Sequence, residues 1–336
     1  MARLTSFSRL LLTLAIVAGV FFAVRTFWPQ IKSMGSGAEQ TETTTENSGT
    51  TGAQETASPT SSSSTWGKTV SAFNYTAPAP VNGTLKGVVE LGATGFNSFI
   101  INVDSRKNWK LEKAEYGASL VYENLATDDD IQKGLKSYIA DMLAYGVGPK
   151  NIHFVISSGA KKVPVTSKIS SMLKGMGYYV NEVTPQQEAK LALKSCLPAS
   201  YENRAFVVDI GSGNTKISWM SGNAPTGIEL PGAKYYQNNV TDDAVYKEVN
   251  AKAKQVPADK RSTCFIIGGV PFELAKEVRQ GKERYTVLKA PGDYSPEGDK
   301  QKSGVNIYKA IADATGCQQF VFDWDANFTI GFLLSL

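Results

Sequence analysis

The chain has 336 residues, 42% hydrophobic and 20% charged, with a formal net charge of +4, which leaves room for one large or two ordinary globular domains. The charge is unevenly spread: Arg3, Arg9, Arg25 and Lys32 stand without an acid before residue 33, and Glu39, Glu42, Glu46 and Glu55 without a base from 33 to 65. The remaining excess of base is weak and dispersed, which argues against nucleic acid as a partner. A single histidine, His153, argues against triad chemistry and histidine-rich metal sites.

Leu10–Val24 is a run of mostly apolar residues, preceded by Arg3 and Arg9 and followed by Arg25, Phe27 and Trp28. At about 1.5 Å per residue it falls short of a hydrocarbon core of about 30 Å, a gap that snorkelling arginines and flanking aromatics narrow. The length also suits a signal peptide, but Phe21-Phe22-Ala23-Val24 offers no small-x-small cleavage site. Residues 1–32 are therefore expected to be a single-pass membrane anchor. Positive charge on both flanks only slightly favours a cytoplasmic N-terminus and an exported C-terminal domain, so the side of that domain is left open. Residues 33–80 form a Ser/Thr-rich linker, expected to be flexible because it has too little apolar surface to offset ordering entropy, and Ala77-Pro78-Ala79-Pro80 closes it.

From Lys86 the pattern is α/β. Strands are predicted at Lys86–Leu91 and Phe99–Val103, and a helix over Asp128–Tyr145, whose apolar residues Ile131, Leu135, Ile139 and Met142 recur at helical spacing. Asn151–Ile156 reads as a buried strand, Ser167–Met176 as a helix and Tyr178–Glu182 as a strand. Thr184-Pro185-Gln186-Gln187 is a capping box that opens a helix running to about Leu197. The second half repeats the theme with strand Ala205–Ile210, strand Ile217–Met220, helix Thr241–Lys254, strand Thr263–Ile267, and helices Pro271–Gln280 and Ser303–Thr315. Cys196, Cys264 and Cys317 are widely spaced in apolar contexts and read as buried free thiols, which argues mildly against an oxidising compartment.

Two loops stand out. Glu90-Leu91-Gly92-Ala93-Thr94-Gly95 and Asp209-Ile210-Gly211-Ser212-Gly213-Asn214-Thr215 each place a carboxylate at the end of an apolar strand, followed by a turn of small residues. Such turns let backbone N–H groups point at an anion, while the carboxylate before them can hold a metal ion or its water. Either loop alone is equally a tight hairpin; a pair suggests two hairpins facing a cleft.

The order of motifs resembles the exopolyphosphatase and guanosine-pentaphosphate phosphohydrolase (Ppx/GppA) family, within the actin, Hsp70 and sugar-kinase superfamily. Glu90-Leu91-Gly92-Ala93-Thr94 stands where the family has Asp-x-Gly-Ser, and Val155-Ile156-Ser157-Ser158-Gly159-Ala160 where it has a strand and a substrate-facing hydroxyl loop. Gln187-Glu188-Ala189-Lys190 resembles Glu-Glu-Ala-Arg, and Asp209–Thr215 resembles Asp-Ile-Gly-Gly-Gly-Ser-Thr. Ile266-Ile267-Gly268-Gly269 matches the paired glycines of the nucleotide side, and Thr329-Ile330-Gly331-Phe332-Leu333-Leu334 the closing Arg-Glu-Gly-x-Leu. The resemblance implies a two-lobed ribonuclease H-like (actin-like ATPase) fold with lobes at 86–205 and 206–336. It also implies a phosphoanhydride ligand, polyphosphate or nucleotide, in the cleft between them. By the same resemblance Glu188 is the general base, and Glu90 and Asp209 hold Mg²⁺. The phosphate-binding set is Gly92, Ala93, Thr94, Ser157, Ser158, Gly211, Ser212, Gly213, Asn214, Thr215, Lys216, Gly268 and Gly269. From its position alone, Glu188 is as natural a helix N-terminal glutamate as a base.

The chain departs from the family pattern at Lys216, where the family has an acid, and at Glu90, Ser212, Asn214 and Thr329-Ile330. An ammonium in place of a carboxylate weakens a Mg²⁺ site while still attracting phosphate. Two classes follow: a phosphoanhydride hydrolase, or a non-catalytic actin-like module at the membrane that binds a protein partner or a second copy of itself.

Overall fold

The computed structural model describes residues 73–92, 96–116, 128–162 and 164–336, all within one compact unit. The expected anchor over 1–32 and the loop residues Ala93 and Thr94 lie outside the described residues. Among those described, no helix is long and apolar enough to cross a membrane.

Two sheets are built on one plan. The first runs β3-β2-β1-β4-β5, from β1 (Thr84–Leu91), β2 (Phe96–Val103), β3 (Trp109–Tyr116), β4 (Ile152–Ile156) and β5 (Val180–Glu182). Strands β1 to β3 form an antiparallel meander, and β4 and β5 add in parallel beyond β1. The second runs β10-β11-β9-β6-β7-β8, from β6 (Ala205–Ile210), β7 (Asn214–Ser221), β8 (Ala224–Pro231), β9 (Thr263–Ile267), β10 (Tyr285–Val287) and β11 (Phe320–Asp323). Here too a meander, β6 to β8, is joined in parallel by β9 and β11, with β10 antiparallel on the edge. The central strands β6 and β9 are buried at every residue, as parallel strands covered on both faces must be.

The helices are α1 (Asp128–Tyr145), α2 (Pro164–Gly175), α3 (Pro185–Cys196), α4 (Asp242–Ala253), α5 (Gly269–Lys276), α6 (Gly298–Thr315) and α7 (Phe328–Ser335). Helix α1 has the predicted bounds. Helix α5 begins two residues before the predicted Pro271, because that proline occupies the first turn rather than its first position. The sequence reading missed β3, β8, β10, β11 and α7.

Alternation along the strands separates the cores. On the first sheet Val89 and Phe154 face α1, where they pack with Ile131, Leu135 and Met142. On the second, Val208 and Ile266 pack with Tyr308 and Ile311 of α6. Their neighbours Val88, Val155, Val207 and Phe265 point the other way, into a third core between the sheets that α3 and α7 fill with Leu193, Ile330 and Leu333. Each such buried aliphatic contributes about 1.5–3 kcal/mol. Helices α3 and α7 cross in backbone contact: a side chain at Gly331 would collide with the Leu191 carbonyl.

The end of the linker segment is not loose. Phe73 packs on Tyr201, Phe265 and Tyr285 with ring centroids 5.5, 5.6 and 5.3 Å away, and Tyr75 on Tyr201 and Tyr285 at 5.9 and 5.6 Å. Eight residues after Phe73, the Val81 N–H donates to Asp104 Oδ2 beyond β2 at 3.2 Å. The segment therefore straps the second sheet to the first before β1 begins.

The three thiols are free and buried, and burial pushes Cys196 and Cys264 well above the ordinary thiol range and Cys317 up to about 12. His153 is a packed strand residue, half-buried with its ring 5.8 Å from Phe332.

Candidate functional site

The hairpin register sets the centre of the site. Strand β6 pairs with β7 so that Asp209 lies opposite Lys216, and both side chains point into the space between the lobes. Glu90, near the end of β1, occupies the corresponding place on the first sheet, opposite Asn97. Glu188 arrives from the first turn of α3, which opens on the expected capping box: the Gln187 N–H donates to Thr184 Oγ1, and the Gln187 side chain accepts from the Thr184 N–H.

Lys216 Nζ is 2.5 Å from Glu188 Oε2 and 3.8 Å from Asp209 Oδ2. The other Glu188 oxygen, Oε1, accepts from the Ser158 N–H at 2.5 Å. All three charged side chains are buried. Burial alone would lower the Lys216 pKa, but Asp209, Glu188 and Glu90 around it raise it, so the lysine is an ammonium. Burial raises the Asp209 pKa, and Lys216 opposes that rise. Among the described residues, Glu90 has no ammonium partner within salt-bridge distance. Burial pushes it up to about 7, against two carboxamide N–H groups that donate to Oε2, from Asn97 at 3.0 Å and Asn327 at 3.2 Å. Asn327 also caps α7, its Oδ1 accepting from the Thr329 N–H at 2.8 Å, so one residue ties the last helix to the first strand.

These groups line a cavity of about 410 Å³ between the sheets, a size suited to a small ligand. Of the residues named from the sequence, Glu90, Gly92, Ser157, Glu188, Asp209 and Lys216 line it with Gly211–Asn214 and Gly268–Gly269. Ser158 is not part of the lining; it joins the two lobes, accepting on Oγ from Asn214 Nδ2 at 3.4 Å. Thr215 is fully buried outside the lining, and its hydroxyl has no partner among the described residues. The Gly211 N–H is taken by the Asn214 carbonyl at 3.1 Å, so it closes the turn instead of facing an anion. Gly268, with φ of 110°, sits against the Ile210 carbonyl where any side chain would collide. Lys161, just after the Ser157-Ser158-Gly159 turn, pairs with Glu182 at 3.3 Å.

Sequence reasoning missed the far wall, formed by Phe99, Tyr116, Phe272, Phe322 and Trp324, and also Asn97, Asn327, Lys300 and Asp323. One signal was readable: Asn327 precedes an apolar run as an N-cap does. Asp323 accepts two bonds from the Arg284 guanidinium, at 2.9 and 3.0 Å, and Arg284 stacks 4.2 Å above the Trp109 ring.

Among the described residues, no group of three or more His, Cys, Asp and Glu is placed to hold a metal ion. The carboxylates expected to hold Mg²⁺ are instead turned to two carboxamides, at Glu90, and to an ammonium, at Asp209.

No family model matches the chain, and no curated protein matches its sequence. Solved structures do match the fold. A Ppx/GppA family member from Aquifex aeolicus superposes with a TM-score of 0.58 at 18% identity, covering 75% of this chain and 97% of its own. A second structure of an Aquifex aeolicus PPX-GPPA enzyme gives a TM-score of 0.59 at 17% identity, covering 75% of this chain and 99% of its own. An exopolyphosphatase from Cytophaga hutchinsonii gives 0.59 at 12% identity, covering 75% and 97%. At these identities the likeness is one of fold: the chain has the two-lobed α/β architecture of the Ppx/GppA structures that its motifs resemble.

Proposed function

We propose that the chain is a membrane-anchored, exopolyphosphatase-like protein that binds a phosphoanhydride ligand in its interlobe cleft and does not turn it over by metal-assisted hydrolysis. The observation that carries this reading is the Lys216 ammonium, 2.5 Å from Glu188 and 3.8 Å from Asp209. Phosphoryl transfer to water relies on a divalent cation to neutralise the phosphate oxygens and on a carboxylate free to take a proton. Here an internal cation stands among the carboxylates that would receive the metal. Both Glu188 oxygens are engaged, one by that ammonium and one by the Ser158 N–H. The fold shared with Ppx/GppA structures and the glycine loops at Gly211–Gly213 and Gly268–Gly269 support a phosphate-bearing ligand. The apolar run Leu10–Val24, with arginines on both flanks, supports the anchor.

The test is thermal unfolding of the full chain with ATP, GTP or tripolyphosphate at millimolar concentration, in EDTA and in Mg²⁺, alongside a phosphate-release assay. Ligand at a hundred times its dissociation constant adds about 2.7 kcal/mol, a rise of a few degrees for a domain of this size. The expected result is a rise of equal size in EDTA and Mg²⁺, with no phosphate released. Mg²⁺-dependent release that Glu188→Gln abolishes would overturn the non-catalytic reading. No shift with any of the three ligands would overturn binding itself and leave a scaffold.

A further inference from the structure

The cleft lies at one end of the two sheets, and the opposite end carries a set of cations. Lys86 stands four residues before Glu90 on β1, and Arg204 immediately precedes β6, five residues before Asp209. At about 3.3 Å per residue both sit roughly 13–17 Å from the cleft carboxylates. The helices run the same way: α3 from Glu188 to Lys194, and α7 from Asn327, beside Glu90, to Ser335. Lys194 Nζ is 3.3 Å from Ser335 Oγ and Lys86 Nζ 3.5 Å from the Leu333 carbonyl, so the two ammonium groups flank the end of α7.

The turn after β2 adds two more cations at this end, where Val103 pairs with Thr84, the first residue of β1. Asp104 is buried, its carboxylate taken by the Val81, Arg106 and Asn108 N–H groups and the Asn108 carboxamide. That fixes the turn and leaves Arg106 and Lys107 exposed. Lys107 acts on both flanking lysines: the pKa values of Lys86 and Lys194 are lowered first by burial and then by its charge. Arg204 lies 4.1 Å above the Tyr201 ring, on which Phe73 also packs. Among the described residues none of these five cations is in an ion pair, although the exposed acid Glu202 lies close by in the chain. Lys86 and Lys194 offset the negative end of α7. Arg106 and Lys107 make no side-chain hydrogen bond among the described residues.

We infer that this basic end is a docking face that lies on an anionic bilayer surface and turns the cleft toward the aqueous phase. The inference rests on the membrane-anchored reading and goes beyond it, because an anchor alone sets no orientation. Phe73, where the described body begins, packs on Tyr201 at the same end, so the body is joined to the preceding chain on this face. Each lysine or arginine held at an anionic surface favours contact about fivefold, an attraction that fades within a Debye length.

For the test, the full chain is reconstituted into vesicles of phosphatidylcholine, or of phosphatidylcholine and phosphatidylglycerol in equal parts, and floated on a density gradient. Floated vesicles are treated with acetic anhydride, which crosses bilayers and reaches both orientations of the chain, and acetylation of single lysines is read by peptide mass spectrometry. Lys107 and Lys194 should react at least about fivefold more slowly on the anionic vesicles. The difference should vanish in about 1 M salt, and Lys247, exposed on α4, should react alike on both. Arg106→Glu with Lys107→Glu should return Lys194 to its neutral-vesicle rate, whereas Arg106→Lys should keep it slow. Both positions are exposed in a turn held through backbone groups, so far-ultraviolet dichroism should match the parent. Equal Lys194 rates on the two vesicles would overturn the docking face and leave the anchor standing. Flotation with the anionic vesicles alone would overturn the anchor and support the docking face, and flotation with neither would overturn both.

Discussion

Glu90 and Lys216 are a carboxylic acid and an ammonium in the same buried space, and they solve the cost of burial differently. Lys216 is retained as a charge by the acids around it, whereas Glu90, raised by burial from an ordinary 4.5 to about 7, is largely protonated below neutrality. Between about pH 4.5 and 7 the unfolded chain has lost the Glu90 proton and the native chain retains it. The native state then binds more protons, so this group makes stability fall as pH rises through that window and stay level above it. Glu90→Gln keeps an acceptor for Asn97 and Asn327 and removes the titration. It should stabilise the protein at pH 8 relative to pH 5 by up to about 3 kcal/mol more than in the parent, as read by urea denaturation of both at the two pH values. An identical pH dependence in parent and variant would refute the protonated Glu90. The carboxylate positions were legible in the sequence because each ends an apolar strand before a small-residue turn. The partners of Glu90 were less so: Asn327 is 237 residues away, and only the folding of α7 onto β1 brings it there.

Among the elements, those read correctly carry strong local signals, such as the capping box of α3 or the continuous apolar runs of β6 and β9. Strand β3 was missed because Trp-Lys-Leu-Glu-Lys-Ala-Glu-Tyr is dense in charge. Its ion pairs Lys110–Glu112 and Lys113–Glu115 are both two residues apart, the spacing of one face of a strand, and they mark an exposed edge. Helix α7 is short and apolar throughout, so it has no periodicity to read; tertiary burial in the interlobe core determines it. The strap was read as linker because composition averages over its window, whereas Phe73 and Tyr75 act as two separate anchors. Replacing both with alanine should destabilise the protein by about 2–4 kcal/mol, since each ring is only half-buried, with the urea m-value unchanged. A midpoint equal to that of the parent would show that the strap is not held.

For the molecule as a whole, the shared order of the first four strands of each sheet, β3-β2-β1-β4 and β8-β7-β6-β9, explains why two similar loops, far apart in sequence, face one cavity: each lies at the same point of its own sheet. The lobes are not independent bodies. The core between them takes Val88 and Val155 from one sheet and Val207 and Phe265 from the other, with Gly331 letting α7 lie directly on α3. Unfolding of the described body should therefore be a single transition, with the fluorescence of Trp109, Trp219 and Trp324, measured with the chain's other two tryptophans, Trp28 and Trp66, replaced by Phe, coinciding with far-ultraviolet dichroism. Two separated steps would mean that the shared core does not couple the lobes. The same continuity of packing bears on chemical durability. A thiol reacts as its thiolate, and Cys196, Cys264 and Cys317 are buried with that form suppressed by the surrounding apolar core. An oxidant reaches these three thiols only after the fold has opened, so thiol modification of the native protein should track unfolding and not exposure to the reagent.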